Sequence, residues 1–381
     1  MKVFVIAGEP SGDALGGALM EGLNALQPGI RYAGVGGPLM QAQGLSSLFP
    51  MDELSVMGLA EILPKYRALK RRIRETAAEI ARVGPDVVVT IDSPDFCLRV
   101  LALARAEAPG LKTVHYVAPS VWAWRPGRAD KMARVVDHVL ALLPFEPPYM
   151  QRAGMGCTFV GHPVVAQPVA SEAEAAAFRA AHGIGDAPLV LALPGSRRGE
   201  IERIGPVFGQ TLAQLSVPGV RVVVPTVAAR AEQVRALVTD WPGAPLVLDA
   251  AETPAAIKRA AFRAADAALA ASGTVSLELA AAGTPMVIAY RMNPLSQAII
   301  SRMLRIQTVT LVNLVSESRA VPEFLGPDCR ADRIAPVLAG LLTGSGARAE
   351  QIAAMDLTMD RLGRGGEAPG LRAARAVLSV L

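Results

Sequence analysis

The stretch Leu269-Ala-Ala-Ser272-Gly273-Thr274-Val275-Ser-Leu277-Glu278-Leu279-Ala-Ala-Ala-Gly283-Thr-Pro-Met286-Val-Ile-Ala-Tyr290 decides the fold. A short apolar run ends at Ser272-Gly273-Thr274; Val275, Leu277, Leu279 and the alanines then read as a helix, Gly283 stops it, and a strand begins at Met286. Strand, small-residue turn, helix, strand is the repeating unit of a doubly wound parallel sheet. A helix that opens on Ser272, Gly273 and Thr274 aims backbone N–H groups, its positive dipole end and two hydroxyls beyond the strand's carboxyl end, where a phosphate fits best. Glu278 returns beside that loop one helical turn after Thr274, and a carboxylate there can accept both hydroxyls of a ribose. The same residues also describe an N-capped helix with a surface glutamate, and this segment alone leaves both readings open.

Outward from it the alternation fills the chain. In the first half, strands are expected at 3–7, 32–35, 86–91, 114–117, 139–143 and 158–160, with helices at 14–26 and 66–83. The second half predicts strands at 189–193, 220–224, 246–248, 267–270, 286–290 and 308–312, again with helices between. The fold class is therefore α/β, two Rossmann-like doubly wound domains in tandem. Proline and valine loosen the pattern between Gly161 and Ser171, which places the boundary there. Residues 1–168 are read as one domain, 169–346 as a second, and 347–381 as helices that pack back on the first. Ligands gather at the carboxyl ends of strands in such sheets, so two halves facing each other make an interdomain cleft.

The bulk numbers bound the possibilities. A chain of 381 residues exceeds one ordinary core, which favours two domains. Hydrophobic residues make up 51% and mean hydropathy is +0.34, yet no apolar run reaches the ~18 residues of a membrane span, so the excess belongs to core or to surface patches. The apolar start at Val3 meets Glu9 too soon for a signal peptide, and a cytoplasmic location is expected. Cys97, Cys157 and Cys329 are odd in number and show no paired spacing, which suggests neither a disulfide framework nor a zinc site. Thirty-eight Lys and Arg against 34 Asp and Glu give a formal charge of +4, a mild preference for anionic partners.

Three further loops at strand ends carry candidate chemistry. In Gly8-Glu9-Pro10-Ser11-Gly12-Asp13 the glycines let backbone approach a ligand, Ser11 and Asp13 can cap the following helix, and Glu9 suits sugar hydroxyls. No Gly-x-Gly-x-x-Gly or Gly-Lys-Ser/Thr is present, so it is neither a dinucleotide loop nor a Walker loop, and a capped turn with solvated acids needs no ligand. Asp92-Ser93-Pro94-Asp95 ends a buried apolar run, and its two acids fit a general base with a helper, a metal pair, or a turn whose Asp caps the next helix. Pro194-Gly195-Ser196-Arg197 is the most phosphate-like: Gly195-Ser196 offers backbone N–H at a helix start and Arg197 a fork that matches pyrophosphate oxygens. Arg198, Glu200 and Glu202 read as solvated charges of that helix. Together with residues 272–278 this loop puts a nucleotide diphosphate on the second half.

Residues 115–124 bring Trp122 and Trp124 before Arg125 and Arg128, an aromatic loop that can stack on a sugar or serve as a core anchor. His162 lies at the domain edge, where a lone histidine is more often structural than functional. Ile62, Tyr66, Leu69 and Ile73 share one helix face while Lys65, Arg67, Lys70, Arg71, Arg72 and Arg74 crowd its flanks, and Met57, Leu59 and Leu63 extend the apolar area. That pattern fits a core-packed helix with a solvated basic side, or a helix that lies on an anionic bilayer.

Taken together, Gly8-Glu9-Pro10-Ser11-Gly12-Asp13, Gly36-Gly37-Pro38-Leu39-Met40, Val56-Met57-Gly58, Ile91-Asp92-Ser93-Pro94-Asp95-Phe96, Pro119-Ser120-Val121-Trp122-Ala123-Trp124, Gly161-His162-Pro163, Pro194-Gly195-Ser196-Arg197 and Ala271-Ser272-Gly273-Thr274 resemble the lipid-A-disaccharide synthase family along nearly the whole chain. The sequence departs from the family at Pro10, where Thr or Ser is usual, and at Cys97, where Asn is frequent. The resemblance implies an inverting GT-B glycosyltransferase of lipopolysaccharide synthesis. It would join UDP-2,3-diacylglucosamine to the sixth hydroxyl of 2,3-diacylglucosamine-1-phosphate, releasing UDP. By that resemblance Asp92 is the base, with Glu9 and Asp95 as further catalytic candidates. The donor would be held by Gly195, Ser196, Arg197, Ser272, Gly273, Thr274 and Glu278, with Asn313 and Glu323 at matching positions, and Ser11, Gly12, Asp13, Trp124 and His162 would lie on the acceptor side. Met57, Leu59, Ile62, Leu63, Tyr66, Leu69, Lys70, Arg71 and Arg72 would meet the anionic cytoplasmic face of the inner membrane. Neither a metal nor another cofactor is expected, and no nucleic acid. The competing readings are a UDP-sugar epimerase of the same architecture, which needs no acceptor, and a nucleotide- or lipid-binding protein without turnover.

Overall fold

The structure, a computed structural model, describes residues 1–54, 59–293, 303, 306–344 and 346–381, with the backbone alone over 59–66. Two compact units emerge: Met1–Ala166 with Gly365–Leu381, and Gln167–Arg364.

In the first unit, β1 (Lys2–Ala7), β2 (Arg31–Val35), β3 (Val87–Ile91), β4 (Thr113–Tyr116), β5 (His138–Ala141) and β6 (Gly156–Phe159) form one sheet in the order β2-β1-β3-β4-β5-β6, every pair parallel. Strands covered on both faces must be apolar throughout, and Val87–Ile91 is buried at every position. The helices are α1 (Pro10–Leu26), α2 (Pro38–Ala42), α3 (Leu59–Val83), α4 (Pro94–Glu107), α5 (Gly127–Met132) and α6 (Pro147–Arg152). One sheet face packs Phe4, Ile6 and Val88 against Ile73, Ile80, Val100 and Leu101; the other packs Val3, Val5 and Val89 against Leu19, Leu23, Ala373 and Val377. α1 begins at Pro10, earlier than residue 14, because proline at a first helical position leaves unused an N–H that it lacks anyway.

The second unit repeats the plan with α7 (Glu172–Ala181), β7 (Leu189–Leu193), α8 (Arg198–Ala213), β8 (Arg221–Thr226), α9 (Ala231–Val238), β9 (Leu246–Asp249), α10 (Ala255–Ala264), β10 (Ala267–Ala270), α11 (Val275–Ala282), β11 (Met286–Tyr290) and β12 (Glu323–Leu325). Its sheet order is β12-β11-β10-β7-β8-β9, again parallel. α11 ends as its sequence predicts, with Gly283 in the left-handed conformation at φ 70°.

Two expectations are corrected here. Residues 308–312 form no strand: Glu323 accepts N–H bonds from Val309 (2.9 Å) and Thr310 (2.6 Å), which leaves Thr310 as the N-cap of a helix, Leu311–Ser316. β12 is the sixth strand instead. The tail from residue 347 does not return as a whole. The helix Gly346–Arg361 stays in the second unit, where Gln351 accepts the N–H of Met286 (2.8 Å) and Thr358 donates to the carbonyl of Val312 (3.2 Å). The helix Pro369–Leu378 alone joins the first unit, buried through Ala373, Ala374 and Val377, with Arg372 donating to the carbonyl of Phe159 (2.8 Å).

Candidate functional site

At the carboxyl ends of β7, β8, β9 and β10 the second unit holds a cavity of about 650 Å³. That volume lies within the usual range for small-molecule sites. One part of its wall is polar, from Gly195, Ser196, Arg197, Ser272, Gly273, Thr274 and Glu278; another is apolar, from Pro225, Val227, Leu248 and Phe262. α11 starts without a side-chain cap, so the reading of residues 272–274 as a capped turn is not what forms. Among the described residues the Ser272 and Thr274 hydroxyls make no hydrogen bond, and Ser276 bonds back to the carbonyl of Gly273 (2.9 Å). The helix start therefore offers uncapped N–H groups to the cavity, an arrangement that favours an anion.

The loop after β7 is built around a buried acid. Glu200, read from sequence as solvated, is 8% exposed and accepts bonds from the Arg197 N–H (3.3 Å), the Arg197 guanidinium (3.1 Å) and the Tyr290 hydroxyl (3.2 Å). Burial of the Tyr290 hydroxyl, and after it the charge of Glu200, raise the Tyr290 pKa. Gly195 sits at φ 109°, and a Cβ there would meet the Glu200 carboxylate at 2.7 Å. Glycine is thus required for the loop to close over that acid. Arg198 and Glu202 do form an exposed pair at the helix surface (2.8 Å). Sequence reasoning missed Lys258, which enters the cavity from α10 and pairs with Glu278 at 2.6 Å. Nothing around Ala255-Ala256-Ile257-Lys258 signals this, because it depends on α10 packing beside α11.

The first unit carries its own cavity, of about 440 Å³, lined by Glu9, Asp92, Ser93, Asp95, Lys70 and Arg99 among polar residues and by Leu54, Leu69, Ile73 and Phe96 among apolar ones. Asp92 and Ser93 are consecutive non-glycine residues in the left-handed region, at φ 51° and 43°. Each such residue costs about 1–2 kcal/mol, and strain of this kind persists where the surroundings fix it. Here the Asp92 N–H is held by the Tyr116 carbonyl of β4 (2.9 Å), and the Ser93 carbonyl accepts from Phe96 (3.1 Å) and Cys97 (3.0 Å). α4 has no side-chain cap, and among the described residues the Asp92 and Asp95 carboxylates make no hydrogen bond, so capping does not account for these acids. Behind them the buried Cys97 thiol is pushed up in pKa by burial and by the charge of Asp92. A Cβ on Gly8 would meet the Ser93 hydroxyl oxygen at 2.9 Å, which shows how closely the Glu9 and Asp92 loops approach. Among the described residues no group of three or more His, Cys, Asp or Glu side chains could hold a metal ion.

Several predicted site residues have other duties. Asp13 is 3% exposed and accepts the N–H groups of Gly37 (2.8 Å), Leu39 (3.0 Å) and Met40 (3.0 Å), so it caps α2 and faces no acceptor. Gly12 is buried against Ala7 and Ile91, and Ser11 is exposed outside the cavity. Asn313 is buried, bonding the Val321 carbonyl (2.8 Å) and N–H (2.9 Å), while Glu323 holds the N–H groups of Val309 and Thr310 just before the helix Leu311–Ser316; neither lines the donor cavity. Trp124 is half-buried under the Arg125 guanidinium, 4.4 Å from its ring, and Trp122 donates to the buried Glu146 (3.2 Å). His162 accepts the Val164 N–H (3.2 Å) at Nδ1, and burial holds its pKa down at about 4; neither it nor Trp124 lines the acidic cavity. Leu69 packs in the core and lines the acidic cavity with Lys70. Arg72 is bound to Glu53 (2.6 Å) and Glu75 (2.7 Å) and lies over the Phe49 ring, which removes it from the membrane set, whereas Arg71 is exposed. Met57 and the side chains of Leu59, Ile62, Leu63 and Tyr66 lie outside the described residues. Among the described residues no helix is long and apolar enough to cross a membrane.

Two doubly wound parallel sheets in tandem, with an anion-favouring cavity at the strand ends of the second and an acidic one at those of the first, define the GT-B fold class. Solved structures agree on the fold: MurG of Acinetobacter baumannii is 14% identical with a TM-score of 0.58, covering 100% of this chain and 98% of that one. A putative UDP-N-acetylglucosamine 2-epimerase from Listeria monocytogenes is 13% identical with a TM-score of 0.63, covering 99% and 95%. The model of the lipid-A-disaccharide synthetase family matches residues 3–367. Lipid-A-disaccharide synthase of Ruegeria pomeroyi is 63% identical over 100% of this chain and 96% of its own length, and that of Rhodospirillum centenum is 49% identical over 100% and 95%. The chain belongs to the lipid-A-disaccharide synthase family.

Proposed function

We propose that the chain, a hexosyltransferase of lipid A synthesis by its family, condenses UDP-2,3-diacylglucosamine with 2,3-diacylglucosamine-1-phosphate. The observation that carries this is the Asp92 turn, which displays an uncapped carboxylate in a cavity at the end of β3. Asp92 takes the proton of the acceptor's sixth hydroxyl as that oxygen bonds to the anomeric carbon. The bond from that carbon to the diphosphate breaks, its electron pair leaves with UDP, and attack from the opposite side inverts the centre. Charge developing on the leaving group is received by the uncapped N–H groups at the start of α11 and by Arg197, held in place through Glu200. Glu278 receives the ribose hydroxyls, and its pairing with Lys258 keeps a cation beside the diphosphate. The apolar wall of Pro225, Val227, Leu248 and Phe262 suits the base. No metal enters these steps.

Membrane contact belongs to the same proposal. Arg67, Lys70, Arg71 and Arg74 line an open basic groove along α3, and anionic lipid attracts each cation by about 1 kcal/mol. The substrates' acyl chains favour catalysis at the bilayer's cytoplasmic face, because drawing a chain into water costs about 0.8 kcal/mol per CH₂. The test is UDP release from UDP-diacylglucosamine in detergent micelles, with and without the acylated sugar phosphate. Release that depends on the acceptor and persists in EDTA supports the reading. Isomerised sugar without acceptor would identify an epimerase, and binding without release a non-catalytic protein.

A further inference from the structure

The acidic cavity poses an electrostatic problem. Glu9, Asp92 and Asp95 all line it, and a phosphate monoester carries close to two negative charges near neutral pH. An acceptor of that charge cannot settle beside three carboxylates unless a cation meets it. Arg99, exposed on α4, lines the cavity and forms no ion pair among the described residues, although Asp95 stands one turn before it. Three arginines of the unit are by contrast engaged: Arg72 with Glu53 and Glu75, Arg82 with Glu79, and Arg105 with Asp137.

Position favours the same residue. Asp95, Phe96 and Arg99 share one face of α4 by their spacing of three and four. The five residue steps of helix from Pro94 to Arg99 rise about 7.5 Å, comparable to the reach from the sixth hydroxyl of a pyranose across the ring to a phosphate on its first carbon. We propose that Arg99 binds the phosphate of the acceptor and so fixes the sugar with its sixth hydroxyl at Asp92. Lys70, which lines the same cavity from α3, adds a second positive charge, and Phe96 offers the ring an apolar wall. A planar guanidinium suits the task because it meets two phosphate oxygens at once.

This rests on the proposed reaction, and the experiment separates the two. Acceptor-dependent UDP release by the unmodified enzyme is measured first; its absence overturns the reaction and Arg99's part in it together. Given that release, Arg99→Ala is compared on the phosphorylated acceptor and on the same diacylglucosamine without phosphate. The KM for the phosphorylated acceptor is expected to rise about tenfold or more, equivalent to about 1.4 kcal/mol, with kcat and donor KM within about threefold. The preference for the phosphorylated over the dephosphorylated acceptor falls by the same factor, Arg99→Lys restores part of it, and the thermal midpoint is unchanged. Equal losses on both acceptors, or no loss on either, overturn the assignment of Arg99 while leaving the reaction standing.

Discussion

Asp13→Asn tests whether the first glycine-rich loop binds substrate or holds the fold. The carboxylate is 3% exposed and accepts three backbone N–H groups, with Oδ1 meeting Gly37 and Met40 and Oδ2 meeting Leu39. Asparagine keeps one carbonyl oxygen, which can still serve Gly37 and Met40, but turns an NH₂ towards the Leu39 N–H. One buried donor left unsatisfied costs about 1–3 kcal/mol, and loss of the charge at the start of α2 removes about 0.3–1 kcal/mol more. The sum, about 1.5–4 kcal/mol, lowers the melting midpoint of a unit of this size by roughly 3–16 °C. Differential scanning calorimetry with urea titration reads the loss, and because Trp122 and Trp124 lie in the first unit while Trp241 lies in the second, Trp241→Phe in the background isolates the relevant fluorescence. The folded variant is expected to keep its acceptor KM within about threefold. Unchanged stability together with a weakened acceptor would return Asp13 to the binding site and refute the capping argument.

Asp92→Asn is expected to lower kcat by about two to four orders of magnitude with UDP affinity intact, since a general base of this kind contributes that much. A near-normal rate removes Asp92 from the mechanism. Glu146 supplies a pH dependence of known sign: burial, opposed by hydrogen bonds from Leu143 and Trp122, pushes its pKa from 4.5 to about 7. Between those values the folded protein keeps a proton that the unfolded chain has released, so this contribution to stability is present below pH 4.5 and lost as pH rises through about 7. The Glu146→Gln minus wild-type difference in unfolding free energy should therefore change by about 3 kcal/mol across the window. His115 and His162, both held down to about 4 by burial, act oppositely below 6.5 but cancel in that difference; a flat difference contradicts the assignment. Arg67, Arg71 and Arg74 changed to Glu should abolish most cosedimentation with vesicles containing anionic lipid in low salt, whereas Arg72, being tied to Glu53 and Glu75, is left alone. Undiminished cosedimentation returns that groove to plain solvation.

What could be read from sequence followed from how local each feature is. Contiguous apolar runs such as Val87–Ile91 announce buried parallel strands, and Gly283 announces a helix end, because each depends on neighbours within one turn or one strand. The acids could not be sorted this way. Asp13 and Glu323 find their N–H partners 24 to 27 and 13 to 14 residues away, Glu200 is buried by a tyrosine 90 residues on, and Lys258 reaches Glu278 only after two helices pack. A carboxylate at a strand end has the same local sequence whether it turns to backbone or to ligand. The distinction lies in what the backbone has already claimed: the Asp13 and Glu323 carboxylates are occupied by N–H donors, while those of Asp92 and Asp95 accept no hydrogen bond among the described residues and line a cavity. Since a buried N–H must find an acceptor, folding assigns the first pair, and the strained turn at Asp92 holds the second out of that assignment. The acids that folding does not use are the ones left for chemistry.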